Sequence, residues 1–381
     1  MIYSYGIDVD DLQFGFKKGL SCSDAIFAVK STVNYFTERG SCVYAAALDL
    51  SKAFDSVNHF KLFSALLKSG LPVGIINVII NWYGKLFAAV RWCNALSDVF
   101  HVGSGVRQGG SLSPALFNVF INIFVIKLRL LDVGCHINSI FFGCFLYADD
   151  LIVLSPSVIG LQQILDTCIE TSNLLSLKFN CSKSHCILFG KCCIPSVQPM
   201  RLGNDNIEWV NSIKYLGVYI VSGKKLTFDI SCTKRTFYAS CNSVNAHAKS
   251  LEEIVQLTLH ENYCLPLLTY ASAALTLCSQ QLNDLNVCWN TVYRLIFKFN
   301  RWESVKSFIH GLGRLSLLYI FNVARVKFFF HLRDSPNVLL YNLLWIYFAD
   351  SCVKDHCLSS LLLTLNAAIN KLYTDFNNSA I

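Results

Sequence analysis

Two adjacent carboxylates, Asp149 and Asp150, sit between the apolar runs Phe145-Leu146-Tyr147-Ala148 and Leu151-Ile152-Val153-Leu154. Runs this short, rich in Ile, Val, Phe and Tyr, predict two strands, and Ala148-Asp149-Asp150 predicts the tight turn between them. The product is a hairpin with a double negative charge at its tip. Asp is a poor strand residue and is costly to bury unpaired, so two together invite a cation. Oxygen-only ligands suit Mg2+ or Mn2+. A solvated acidic turn uses the same residues. A third carboxylate, Asp49, ends the apolar run Cys42 to Leu48 in the same way. On its own a strand-end Asp reads as a helix cap or turn former.

The elements that would position these groups follow from periodicity. Residues 42–50 predict a buried strand. Before it, Ala25, Ile26, Val29, Val33 and Phe36 form the stripe of a helix capped by Ser23 or Asp24. After it, the segment Leu48 to Asp55 leads into a helix through Phe60–Leu67 that ends near Gly70 and Pro72, and residues 73–87 predict another. A strand pair is expected within Val90–Val102. Gly103–Ser113 is a Gly/Ser-rich loop, and Pro114 opens a helix running to about Leu131. The acidic hairpin comes next, then an amphipathic helix over 157–177, a strand at 186–190 and a second hairpin within Ile207–Ile220. From Phe228 onward the pattern is mostly helical. The chain therefore reads as an α+β core over 1–222 followed by helices, with Lys224-Lys225 as the boundary.

Composition narrows the class. Charged residues make up 15 % of the 381 residues and AVILMFWYC 53 %, so the chain is more apolar than ordinary globular domains. No uncharged apolar run reaches the ~18 residues of a membrane span. The nearest, between Asp334 and Asp350, is broken by Pro336 and Asn337. The start, Met1 to Gly6, is neither basic nor a long apolar run, so no signal peptide is expected there. The 17 cysteines are irregularly spaced, and their densest group (Cys181, His185, Cys186, Cys192, Cys193) matches no zinc pattern. Ordinary reduced thiols and an intracellular, non-secreted setting are expected. The net charge of +7 is uneven: from Arg294 to Arg333 there are eight basic residues and one acid, Glu303. Arg294, Lys298 and Arg301 would share one face of a helix, a surface suited to a phosphate backbone or simply to water.

Taken in order, the motifs resemble the reverse transcriptases of non-LTR retrotransposons, the long interspersed element type. Ala53-Phe54-Asp55-Ser56-Val57-Asn58-His59 follows Asp49 as in that subgroup. Arg107-Gln108-Gly109 with Leu112-Ser113-Pro114 stands between the acidic sites, and Tyr147-Ala148-Asp149-Asp150 comes next. Leu177 to Lys183 resembles the following motif, Lys214-Tyr215-Leu216-Gly217 the primer-side hairpin, and Phe14 to Gly19 with Asp24-Ala25-Ile26 the fingers segment. The match covers about residues 14–220, with a weaker likeness to the helical thumb over 225–333.

The resemblance implies a right-hand polymerase: palm and partial fingers over 1–222, a helical thumb over 223–300 and a helical C-terminal region over 301–381. It implies RNA-directed DNA synthesis, with dNTPs added to a primer 3′-OH on an RNA template by two-metal chemistry with Mg2+ or Mn2+. Asp49 and Asp149 would hold the ions, assisted by Asp150. Lys183 would serve the leaving pyrophosphate. Phe54 would exclude a 2′-OH, and Arg107, Gln108, Gly109 and Tyr147 would complete the substrate site. Lys214, Arg294, Lys298 and Arg301 would meet nucleic acid. The sequence departs from the pattern at Gly110-Ser111, where relatives carry a Cys-Pro-like pair. It also has no earlier fingers motif with an Arg-Pro-Ile core, as though N-terminally truncated. An inactive retroelement remnant that still binds nucleic acid is the alternative expectation.

Overall fold

The computed structural model describes residues 9–191 and 199–351. Cys192 and Cys193 of the cysteine group, and the Met1–Gly6 start, lie outside them. The chain opens with α1 (Cys22–Glu38), β1 (Val43–Asp49), α2 (His59–Lys68) and α3 (Val73–Gly84). Four two-residue strands come after these: β2 (Phe87–Ala88), β3 (Arg91–Trp92), β4 (Ala95–Leu96) and β5 (Phe100–His101). Next come α4 (Ser113–Ile121), α5 (Ile123–Arg129), the small ladder of β6 (His136–Ile137) and β7 (Ile140–Phe141), then β8 (Cys144–Tyr147), β9 (Asp150–Ser155) and α6 (Val158–Leu175). After β10 (His185–Phe189), β11 (Met200–Leu202) and β12 (Asp205–Ile207) form one hairpin, and β13 (Ser212–Tyr215), β14 (Val218–Val221) and β15 (Thr227–Asp229) form a three-stranded sheet. The rest is helical: α7 (Ser231–Ala248), α8 (Glu253–Tyr263), α9 (Leu265–Thr269), α10 (Ser279–Ile296), α11 (Lys306–Gly311), α12 (Leu317–Arg333) and α13 (Val338–Ser351).

The element that organises the first part is β1. It is central in a four-stranded antiparallel sheet of order β10-β1-β9-β8. A strand with neighbours on both sides has no open edge, and its residues suit that place. Ala45 and Ala46 are fully buried, and their small side chains leave room for helices α1 and α6 to pack against the strand. Register matters because a slip by one residue would turn every side chain to the other face.

Several expectations need correction. The cap of α1 is Ser21, whose N–H and hydroxyl both donate to Asp24 Oδ2 at 2.7 Å; Asp24 closes a capping box from the first turn instead of capping the helix itself. Phe54 lies in the turn that precedes α2, which begins at His59 in keeping with the expected helix through Phe60–Leu67. The helix opened by Pro114 is interrupted at Asn122, whose side-chain oxygen accepts from the Asp10 N–H at 3.1 Å. The second sheet continues to Asp229, past the expected boundary.

The chain divides into two compact units between Phe328 and Phe329. Within the first, the helical region has its own core, built on Phe237, Leu257, Leu285, Trp289, Tyr293 and Leu317 among others. The second contains α13, which Asn337 caps by accepting from the Leu340 N–H at 3.1 Å. No helix among the described residues is long and apolar enough to cross a membrane. Twelve cysteines among the described residues are free thiols, as expected, and Cys42 is disulfide-bonded.

Candidate active site

Strand register brings the carboxylates together. Asp49, the last residue of β1, is directly opposite Asp150, the first of β9, and Asp150 is in turn opposite Tyr147 of β8. Residues directly opposite in an antiparallel pair project from the same face, so the side chains of Asp49 and Asp150 share one side of the sheet. The β8–β9 turn is Ala148-Asp149, with Ala148 at φ 56, a left-handed conformation that a non-glycine residue holds only when its surroundings impose it. Here the neighbour is visible. Phe14 N–H donates to the Leu146 carbonyl at 2.8 Å, and Gly15 passes so close that a Cβ there would lie 2.3 Å from Ala148 N.

The electrostatics are those of negative charge that two lysines compensate only in part. Burial pushes the Asp149 carboxyl above its usual range, with the charge of Asp49 adding to the effect against a backbone hydrogen bond. Asp150 is raised to about 6, first by burial and then by the charges of Asp149 and Asp49, against the pull of Lys214. Lys183 Nζ stands 3.9 Å from Asp49 Oδ2. It is held there by the segment after α6: Asn180 N–H donates to the Asp49 carbonyl at 2.8 Å, and the Asp49 N–H donates to Ser184 Oγ at 3.1 Å. The three carboxylates are not a closed cluster. Among the described residues, the group of His, Cys, Asp or Glu ligand atoms lying within 4.8 Å of one another is Cys241, His260 and Cys264. Hard carboxylate oxygens from two strands, with Asp149 and Asp150 held above the usual carboxylate range, are the environment that a divalent cation neutralises. The donor set therefore fits Mg2+ or Mn2+.

Beside the acidic tip runs a row of rings. Phe54 stacks on Phe117 with centroids 4.2 Å apart and an interplanar angle of 14°, and Phe16 meets Phe54 edge-on at 6.1 Å. The Gly-rich loop lies over the same turn. Gly105 N–H and Val106 N–H each donate at 2.8 Å, to the Val57 and Phe54 carbonyls. Gly105 has φ 88, and a Cβ there would sit 2.9 Å from the Asp55 carbonyl oxygen, so only glycine fits. Gln108 Nε2 donates to Asp55 Oδ1 at 3.1 Å, while Arg107 and Gly109 are exposed. Tyr147 is half-buried, and burial together with a hydrogen bond to Cys22 pushes its hydroxyl up. Lys214 lies on β13, within electrostatic reach of Asp150.

The basic face does not form. Helix α10 ends at Ile296, and Lys298 takes φ 58. Phe299 N–H donates back to the Arg294 carbonyl at 3.0 Å, the six-to-one bond of a Schellman close. Phe297 and Phe299 both pack on Phe308, at 4.6 and 5.0 Å, which gives the turn its apolar seat. Arg294 Nε donates to the Glu303 carbonyl at 3.1 Å, and Arg301 lies over Trp302. Sequence reasoning missed Asp55 as the partner of Gln108, Ser184 as a support for Asp49, and Gly15 as the residue on which the hairpin tip rests. A glycine between two phenylalanines was the available signal for the last.

A family model described as reverse transcriptase (RNA-dependent DNA polymerase) matches residues 4–220. The chain belongs to that family. Its relatives place this reverse transcriptase domain with non-LTR retrotransposons. It is 29 % identical over 226 residues to the retrovirus-related Pol polyprotein of the type-2 retrotransposable element R2DM of Drosophila melanogaster, covering 56 % of this chain and 21 % of that protein. It is 28 % identical over 244 residues to a probable RNA-directed DNA polymerase from transposon BS of the same organism, covering 60 % of this chain and 25 % of the relative. The reverse transcriptase domain thus spans 21 % to 25 % of the length of these two relatives. Apo telomerase from Candida tropicalis overlays 84 % of this chain and 50 % of its own, with 13 % identity and a TM-score of 0.45, a likeness too loose to carry an argument.

Proposed function

We propose that this chain is a retroelement RNA-directed DNA polymerase, adding dNTPs to a primer 3′-OH along an RNA template. In this reading the four-stranded sheet is the palm, and the segments before and beside it are partial fingers. The helical core from Ile230 to Phe321 is the thumb together with the start of the C-terminal region. The observation that supports this most is the register that sets Asp49 opposite Asp150 with Asp149 at the turn beside them.

Asp49, Asp149 and Asp150 would hold two divalent cations, which when bound supply charge stabilisation for the attacking and leaving oxygens of an in-line displacement. The protein's own groups do the rest. Lys183, drawn toward Asp49 at 3.9 Å, is placed to offset or protonate the departing pyrophosphate. Phe54 is stiffened by its stack on Phe117 and edge contact with Phe16, and a ring held this firmly excludes a 2′-OH by sterics. Gln108, anchored on Asp55 in the loop that also carries exposed Arg107 and Gly109, lies where base and triphosphate would be received. Tyr147 forms the wall of the acidic tip, and Lys214 faces the primer strand.

The test is primer extension by the purified full chain on a primed RNA template, with dNTPs and Mg2+ or Mn2+. Extension that is lost in Asp149→Asn is the expected result. Salt-sensitive binding of the primed template with no metal-dependent incorporation would replace the polymerase reading with that of an inactive, nucleic-acid-binding remnant.

A further inference from the structure

A second group of metal-ligating side chains lies in the helical region, away from the acidic tip. Cys241 comes from α7, His260 from α8, and Cys264 caps α8 and leads into α9. Their ligand atoms all lie within 4.8 Å of one another, and none of the three residues is more than 5 % exposed. His260 and Cys264 are four apart, so a single helix face presents both.

The histidine carries the argument. Its Nδ1 is 2.8 Å from the Gln256 carbonyl. A carbonyl can only accept, so Nδ1 holds the proton and Nε2 is left with its lone pair. That Nε2 is buried and has no hydrogen-bond partner. A ring nitrogen fixed as an acceptor, beside two sulfurs and shut off from water, is the arrangement seen when the other nitrogen's hydrogen bond orients a metal-ligating imidazole. We propose that Cys241, Cys264 and His260 Nε2 bind a zinc ion that clamps α7 to α8.

The ligand chemistry selects the ion. Thiolate and imidazole suit Zn2+ and not Mg2+. On binding, each thiol gives a proton to solvent, two Zn–S bonds and one Zn–N bond form, and no electron moves. Two thiolates then cancel the charge of the cation, so the site is neutral, as the surrounding core of Phe237, Leu257, Leu268 and Trp289 requires. The Ser240 hydroxyl, 3.4 Å from Cys264 Sγ, is placed to support that sulfur. Cys288 of α10 acts on Cys241 electrostatically but lies outside the group of three ligand atoms, so the fourth tetrahedral place is left to a neutral ligand such as water.

The experiment uses the full chain, reconstituted with zinc and passed over a desalting column. About one zinc per chain is expected, undiminished in Asp149→Asn and in Cys278→Ser, whose exposed thiol is outside the group. Cys264→Ser and His260→Ala lose it. Cobalt in place of zinc gives a thiolate-to-metal charge-transfer band in the near ultraviolet. Wild-type chain that keeps less than about a tenth of an equivalent of zinc and gives no such cobalt band overturns the proposal, and that readout does not depend on whether the variants fold. A Cys241–Cys264 disulfide found by mass spectrometry in place of bound metal overturns it as well.

Discussion

The acidic end of the sheet gathers residues far apart in the chain, whereas the basic stretch Arg294 to Arg301 fails to gather three near neighbours. Both follow from a periodicity, but the periodicities differ in what enforces them. Asp49 meets Asp150 because each residue of β1 from Tyr44 to Asp49 is paired with β9. A slipped register would turn Leu48, Leu151 and Val153 to the face that carries Asp49 and Asp150 and displace the residues buried there. Arg294, Lys298 and Arg301 share a face only while a helix runs through them, and nothing buried depends on that. The apolar contacts of Phe297 and Phe299 with Phe308 do the opposite and close the helix early.

The largest effect expected of this contrast is at Asp49. Asp49→Asn keeps the size of the side chain and removes a hard anionic ligand, so primer extension falls about a thousandfold or more. Removing a charge from a site where carboxylates repel one another leaves the melting temperature unchanged or raises it. Extension within tenfold of wild type would break the claim that convergence at this end is functional.

Gly15→Ala tests the same convergence from outside the carboxylates. The added methyl would begin 2.3 Å from Ala148 N, so the hairpin tip or the Phe14–Phe16 segment must shift. A displacement of about 1 Å at reacting groups costs on the order of a hundredfold in rate, and extension is expected to drop accordingly with KM for dNTP less affected. Phe54→Val comes next. It leaves the Phe117 face uncovered and opens the place of the 2′-OH, so discrimination against ribonucleotides falls by about 10- to 100-fold while dNTP incorporation persists. Equal losses with both substrates would make Phe54 a packing residue only.

How much of this was legible in the sequence obeys the same division. The strand ending at Asp49, the acidic hairpin, the helix over 157–177 and the Gly-rich loop are set by local pattern, and the order of motifs tied them to one family. The contacts that finish the site were not legible. Ser184 under Asp49, Asp55 holding Gln108 and Gly15 against Ala148 depend on how distant segments dock. No periodicity encodes docking. The Cys241–His260–Cys264 group escaped for a related reason: its spacing is irregular because two ligands lie on one helix and the third on another.

A smaller effect is expected with pH. Asp150 is raised from 3.8 to about 6 in the folded chain. Between those values the folded state keeps a proton that the unfolded chain has released, so stability from this group is greatest below about pH 4 and declines as pH rises through 6. Above 6 the carboxylate is charged and a divalent ion relieves it. Proton and metal therefore compete, and the Mg2+ needed for half-maximal extension rises as pH is lowered through 6, by up to about tenfold per pH unit. A metal requirement that stays flat from pH 7 to pH 5 would show that Asp150 does not share the ion.

The smallest effect belongs to the basic stretch. If Arg294, Lys298 and Arg301 act separately, each alanine substitution weakens primed-template binding by about twofold or less and lowers the salt slope by less than about 1. Arg294→Ala has a further consequence that the others lack, because its Nε bond to the Glu303 carbonyl helps hold the loop after α10, so it alone is expected to lower the melting temperature. A different outcome would be informative. If the three substitutions together steepen the loss to about a hundredfold and remove close to three from the salt slope, nucleic acid must extend α10 beyond Ile296 and draw Lys298 out of its left-handed turn. The helix close at Phe299 would then be a property of the free chain, and the two regions would differ in when their residues converge, the acidic ones on folding and the basic ones on binding.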